Sequence, residues 1–207
     1  MTKTLLLNCS LKTTAGKPLI DTIGKFSECK VVHFSEVSED YKVEASIDSI
    51  ILSGSAARIV KPSHRTMFSG AVNLIRKCNL PILGICFGHQ LLCWALGATV
   101  GSLDQPVLDC FEMVRIIEAD PIFEGLPQNQ PVLLAESHFD YVLRESLFLA
   151  GFVLLANSGS CPVEAVKHKH RSIYGVQFHP ERTTVKNEYH PDGSVIIQNY
   201  YRYIVRR

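Results

Sequence analysis

Two short stretches of the chain carry residue types that can do covalent chemistry together. The first is Gly84-Ile85-Cys86-Phe87-Gly88. An almost wholly apolar run, Pro81 to Ile85, delivers Cys86 to a glycine-flanked turn just before a helical pattern, a G-x-C-x-G form of the nucleophile elbow. The glycines permit a tight turn, and a helix N-terminus beyond it favours a thiolate and any anion forming beside it. The second is Gly175-Val176-Gln177-Phe178-His179-Pro180-Glu181. In an extended segment, side chains two apart share a face, so Glu181 can orient the His179 ring and favour its protonated form. A histidine so held can draw a proton from a thiol. Each stretch also has a plainer reading, a packed cysteine in one case and a solvated surface pair in the other. Both lie at the ends of expected strands, where open α/β sheets carry their sites, and together they supply nucleophile, base and orienting acid.

The elements that must position these residues alternate between short β-rich runs and helical patterns, as in a parallel sheet covered by helices. Strands are expected over Thr4 to Asn8, Lys30 to Phe34, Asp48 to Ser53 and Pro81 to Ile85. Helical spacing runs from Pro18 to Glu28, from an N-cap at Ser63 to Cys78 with Met67, Ala71, Leu74 and Ile75 on one face, and from Gly88 to Leu96 before Gly97. Strand-like segments then follow with little helix: Val107 to Ile117, Val132 to Glu136, Phe152 to Asn157, Val163 to His168 and Ser172 to Phe178. A last helix is expected over Ser194 to Val205. The fold class is therefore α/β, an open, mostly parallel central sheet flanked by helices with a mixed or antiparallel extension, expected as one domain over residues 1–207.

Composition bounds the function. The chain has 207 residues, 46% hydrophobic, and 21 basic against 20 acidic side chains. That balance argues against electrostatic partnership with nucleic acid or an anionic membrane, and no apolar run approaches the roughly 20 residues of a membrane span. Met1 to Ser10 reads as a first strand and not as a signal peptide. Seven cysteines without a C-x-x-C pair suggest reduced thiols in a cytoplasmic protein, and no metal site is nominated. His168 and His170 lack a third ligand, and Ser53-Gly54-Ser55 lacks the residues of a phosphate-binding loop.

Gly84-Ile85-Cys86-Phe87-Gly88-His89-Gln90, taken with Gly175 to Glu181, resembles the class I, triad-type glutamine amidotransferases over essentially the whole chain. Glu136-Ser137-His138-Phe139-Asp140, Ser160-Cys161-Pro162-Val163-Glu164-Ala165 and Ile173-Tyr174-Gly175 make it most similar to the glutaminase subunit or domain of GMP synthase. The resemblance implies a flavodoxin-like three-layer fold and hydrolysis of L-glutamine to glutamate and ammonia. Cys86 would attack the amide carbon, His179 would act as base and then acid, and Glu181 would orient His179. The backbone amides of Ser55 and Phe87 would form the oxyanion hole, and Gly54, Gln90, Ser137, His138 and Phe139 would bind the substrate. No cofactor is implied, and the ammonia would pass to a separate ATP-dependent synthetase subunit.

The family usually has a glycine- and proline-rich turn after the third strand, whereas here Ser53-Gly54-Ser55-Ala56 stands there. A serine forced to positive φ is strained, so an imperfect oxyanion hole is expected at Ser55. Arg182 to Gly193 is also longer than the corresponding family segment. Two other readings keep the fold: a γ-glutamyl peptide hydrolase with the same triad, and a catalytically silent regulatory or binding protein.

Overall fold

The computed structural model describes residues 1–206 apart from Thr13 and Ala15. The first half of the chain builds β1 (Lys3–Asn8), α1 (Lys17–Gly24), β2 (Glu28–His33), β3 (Ser49–Leu52), α2 (Pro62–Met67), α3 (Ser69–Lys77), β4 (Ile82–Ile85) and α4 (Phe87–Ala95). The second half adds β5 (Val100–Ile116), β6 (Val132–Val142), β7 (Phe152–Asn157), β8 (Ala165–His168), β9 (Ile173–Val176), β10 (Thr184–Val185), β11 (Glu188–Tyr189) and α5 (Asp192–Asn199). A π-helical segment, Tyr200–Val205, continues α5.

A nine-stranded sheet in the order β2-β1-β3-β4-β9-β8-β7-β5-β6 forms the frame. β2, β1, β3, β4 and β9 are parallel, and β8, β7, β5 and β6 extend the sheet antiparallel. Of these, β1, β3, β4 and β9 are buried on both faces and alternate between two cores, while β2 forms the exposed edge. Leu5, Leu7, Ile50, Leu52 and Ile82 face α3 and α4 through Ala71, Ile75, Leu91 and Leu92. Leu6, Ile51, Leu83 and Ile85 face α1 and α5 through Leu19, Ile23, Ile196 and Ile197. This is the parallel sheet covered by helices expected from the alternation of patterns, in the three layers that the family resemblance implies, with the antiparallel extension where helix gives way to strand.

The boundaries depart from expectation where packing outweighs local pattern. Ser63 does not cap a helix: Lys61 holds the N-cap position and Pro62 opens α2, a place that suits its fixed φ. The expected helix to Cys78 breaks at Phe68, because that fully buried ring stacks on Phe34 at 4.2 Å and tilts onto Phe87 at 4.8 Å. Met67, expected on the buried face, is exposed as a result. The first helix ends at Gly24, since Glu28 already pairs with Lys3 in the sheet. The segment after Glu181 contains the β10–β11 hairpin, whose turn residues Lys186 and Asn187 both have positive φ, as a tight hairpin turn demands. No helix among the described residues is long and apolar enough to cross a membrane.

Candidate active site

Register brings β3, β4 and β9 to a common edge. Leu52 pairs with Gly84, and Ile85 pairs with Val176. The residues that follow these strands, Gly54, Cys86 and His179, therefore leave the sheet side by side at its C-terminal edge.

Cys86 occupies the elbow with φ 51° and ψ −108°, a left-handed conformation unusual for a residue with a side chain. Its N–H donates to Val176 O at 2.8 Å, and its carbonyl accepts from the Gln90 N–H at 3.1 Å. The flanking glycines are required by close approach. A Cβ on Gly88 would lie 2.3 Å from Leu52 O, and one on Gly84 would lie 2.6 Å from Gly88 O. α4 therefore begins immediately behind the sulfur, with its partial positive charge beside it. The Cys86 Sγ stands 3.6 Å from Ser137 O, to which its thiol form can donate.

His179 is anchored by its own N–H, which donates to Ala135 O on β6 at 2.7 Å. Its Nδ1 meets Glu181 Oε1 at 2.9 Å, and its ring lies within hydrogen-bonding reach of Cys86. Burial by itself would push the imidazole towards its neutral form. The negative charges available at Cys86 and Glu181 outweigh that effect and raise its pKa to about 10. Burial pushes the Cys9 thiol up to about 12, and pushes Cys93, whose sulfur lies 3.7 Å from His89 Nδ1, higher still.

The remaining expected site residues line one cavity of about 300 Å³, at the small end of the range for ligand clefts. Ser55, Phe87, Gln90, Ser137, His138 and Phe139 all contribute to its wall beside Cys86 and His179. Gly54 stands just behind His179, where a Cβ would come 2.9 Å from the imidazole Cε1. The strain expected at Ser55 is absent. The described non-glycine residues with positive φ are Cys86, Asp109, Lys186 and Asn187, and the Ser55 Oγ accepts from the Ala57 N–H at 3.0 Å. The turn is thus held by a local side-chain bond where the family uses glycine.

Gln90 is fixed by two donations from its Nε2, to Asp140 O at 2.7 Å and to Gln177 Oε1 at 3.0 Å. His138 Nδ1 also bonds Asp140 O, at 3.0 Å. His89, next to the elbow motif, is fully buried against Gly175, and burial lowers its pKa to about 3, so it is a neutral packing group. Three charged cavity residues, Arg58, Asp140 and Arg182, are not among those expected from the sequence. Arg58 forks onto the buried Asp140 carboxylate through Nε at 3.1 and 3.2 Å, and lies 5.6 Å over the exposed Phe139 ring. Arg182 also lines the cavity and pairs with Asp109 at 2.8 Å. Asp140 stood inside a recognised motif, whereas nothing near Arg58 in the sequence signals its partner on β6.

A thiol, an imidazole and a carboxylate arranged this way at the edge of a doubly wound sheet form the constellation of nucleophilic acyl transfer by cysteine. The pattern of the glutamine amidotransferase class-I family matches residues 14–196, and the chain belongs to that family. It is 34% identical over 171 residues to the glutamine-hydrolyzing GMP synthase subunit of Methanococcus maripaludis, covering 83% of this chain and 81% of that protein. It is 44% identical over 122 residues to the protein of the same name from Pyrococcus furiosus, where the match spans 59% of each chain. The solved structure of a putative GMP synthase subunit from Thermoplasma acidophilum superposes with a TM-score of 0.80 at 27% identity, covering 98% of this chain and 93% of that one. A glutamine amidotransferase from Thermotoga maritima shares the fold, with a TM-score of 0.71 at 17% identity over 87% of this chain and 77% of its own.

Proposed function

We propose that residues 1–207 act as one glutaminase domain that hydrolyses L-glutamine and hands ammonia to a separate ATP-dependent synthetase subunit in the cytoplasm. The observation that carries this reading is the meeting of Cys86 and His179 on the wall of one amino-acid-sized cavity, with Glu181 bonded to the far side of the His179 ring. The names of the relatives support a GMP synthase-like acceptor.

In the proposed reaction the Cys86 sulfur attacks the side-chain amide carbon of glutamine. The oxyanion that forms is met by the backbone N–H groups of Phe87 and Ser55, whose loss would cost about 10²- to 10³-fold in rate. The C–N bond then breaks as His179 gives its proton to the departing nitrogen, releasing ammonia and leaving a glutamyl thioester. The neutral ring next takes a proton from water, the hydroxide adds to the thioester, and the C–S bond breaks. The new carboxyl releases its proton to solvent as glutamate leaves, restoring the sulfur anion beside a protonated His179. Glu181 keeps the ring oriented through Nδ1. Gly54 leaves room for that ring, while Gln90 and the backbone of Ser137, His138 and Phe139 hold the amino-acid end of the substrate.

The test is glutamate release from glutamine by the purified chain, alone and with a candidate synthetase subunit, ATP and acceptor, beside Cys86→Ala. Release that depends on Cys86 supports the proposal. Its absence under both conditions sinks it, and faster release from γ-glutamyl peptides than from glutamine replaces it with the hydrolase reading.

A further inference from the structure

Behind the nucleophile lies a buried acidic pair that the triad does not use. Glu136 and Glu164 are both fully buried, and their carboxyls lie within hydrogen-bonding reach of each other. Neither is paired with Lys or Arg among the described residues. The basic neighbour of Glu136 is instead His138, whose Nε2 is 3.3 Å from Glu136 Oε2. Glu164 Oε1 accepts from Ser158 Oγ at 2.7 Å. Counted as carboxylates and a bare ring nitrogen, four buried atoms of these three residues are left without a donor among the described residues: Glu136 Oε1, Glu136 Oε2, Glu164 Oε2 and His138 Nε2.

Two protons satisfy all four atoms. A proton on Glu136 Oε2 donates to His138 Nε2, and a proton on Glu164 Oε2 donates to Glu136 Oε1. The tautomer of His138 agrees, because its Nδ1 faces the Asp140 carbonyl, which can only accept, and must therefore carry the ring hydrogen. We propose that Glu136 and Glu164 are held as two neutral carboxylic acids, and that they are positioning residues which lock His138, the Asp140 carbonyl and, through it, Gln90 in the glutamine-binding wall.

Burial is the largest influence on each of the three groups, and it favours their neutral forms. Burial raises the pKa of Glu136 first of all, and the charges of Glu164, of Cys86 at the elbow and of Glu112 on β5 raise it further. Burial likewise raises Glu164, and Glu112 adds to it, while its hydrogen bonds with Glu136 and Ser158 oppose the shift. Burial lowers His138, and with the nearby His179 outweighs the opposing effect of Asp140, so the shared proton belongs on the carboxyl and not on the imidazole. A neutral pair also avoids the penalty of two uncompensated charges in the interior. The line of bonds then runs from Ser158 through both acids and His138 to the carbonyl that also fixes Gln90 at 2.7 Å.

The kinetic test of the pair rests on the proposed glutaminase reading, while the spectroscopic test is independent of any activity. Glutamine is the isostere of a neutral glutamic acid at Glu136: its NH2 donates to His138 Nε2 and its oxygen accepts from Glu164. Glu136→Gln is therefore expected to keep kcat/KM for glutamine within about threefold of the native chain. Glu136→Ala is expected to lower it about tenfold or more, mainly through KM, the scale of a buried polar group stripped of its partner. The ¹⁵N spectrum of His138 is expected to show a neutral ring protonated at Nδ1 throughout about pH 5 to 8. Loss of tenfold or more in Glu136→Gln, native behaviour in Glu136→Ala, or a doubly protonated His138 in that range each overturn the proposal. If Glu136→Ala does not fold, Glu136→Gln, Glu164→Gln and the His138 spectrum decide it. If the native chain releases no glutamate, the glutaminase reading fails while the spectrum still judges the acid pair.

Discussion

Gly54→Ala isolates the geometry of the base from the stability of the fold. The added Cβ would lie 2.9 Å from His179 Cε1 and 3.6 Å from Cys86 Cβ. Only the first contact is prohibitive, and relieving it requires the imidazole to retreat by about half an ångström, comparable with the tolerance of a catalytic constellation. The ring tip borders the cavity, so it can recoil without disturbing the core, and the cost to folding is about 1 kcal/mol or less. That corresponds to a fall in Tm of about 2–4 °C for a chain of this size. The catalytic cost is larger, because misplacing a reacting group by about 1 Å can lose 10²-fold, so half of that implies about tenfold in kcat. Glutamate release at saturating glutamine, measured beside a thermal melt, separates the two effects. A kcat within twofold of the native value would show that the Gly54–His179 contact does not set the position of the base. Wholesale unfolding would equally refute the assignment of the clash to a movable side chain.

Other perturbations read other parts of the site. In Cys86→Ala the first of the interactions that raise His179 is gone, so its titration is expected to fall from about 10 towards the ordinary value near 6.5, as followed by NMR. Because the folded value lies above the unfolded one, the protonated ring's contribution to stability is complete below about pH 6.5 and is lost as pH climbs to about 10. The gap in urea midpoint between the native chain and His179→Gln should therefore narrow across that window. Arg58→Ala leaves the buried Asp140 carboxylate with only the Ser102 hydroxyl, at 3.0 Å, of its present side-chain donors. The expected loss is about 2 kcal/mol by denaturant titration, with a raised KM for glutamine. Ser55→Gly removes a local bond but relieves no strain, so kcat should not rise; a severalfold increase would show that the serine holds the oxyanion turn in an unproductive shape.

What could be read from the chain divides along the range of the interactions. The elbow at Cys86 and the His179–Glu181 pair are local patterns, since the glycines, the apolar strand and the intervening proline act on their immediate neighbours. The parallel strands were legible for the same reason, as continuous apolar runs bounded by turn residues. The break at Phe68 was not, because helical spacing continues across it and only the rings of Phe34 and Phe87, far away in sequence, decide that Phe68 turns inward. The Arg58–Asp140 fork and the Glu136–Glu164 pair are likewise products of tertiary contact between segments that carry no mutual signal. Ser55 shows the converse error: a residue type implied strain, but the side-chain oxygen itself supplies the bond that holds the turn at negative φ. The segment after Glu181 was legible only as extra length, because a two-residue hairpin turn through Lys186 and Asn187 lacks the usual glycine.

Everything proposed for the site passes through a glutamyl thioester on Cys86, and that species can be trapped. The native chain and His179→Ala would be acid-quenched during incubation with glutamine, and the intact mass and peptide map recorded. The expected result is a glutamyl adduct confined to the peptide containing Cys86, and neither adduct nor glutamate release in Cys86→Ala. Glutamate release at the native rate from Cys86→Ala, or an adduct on one of the other six cysteines, would contradict the assignment of Cys86 as nucleophile.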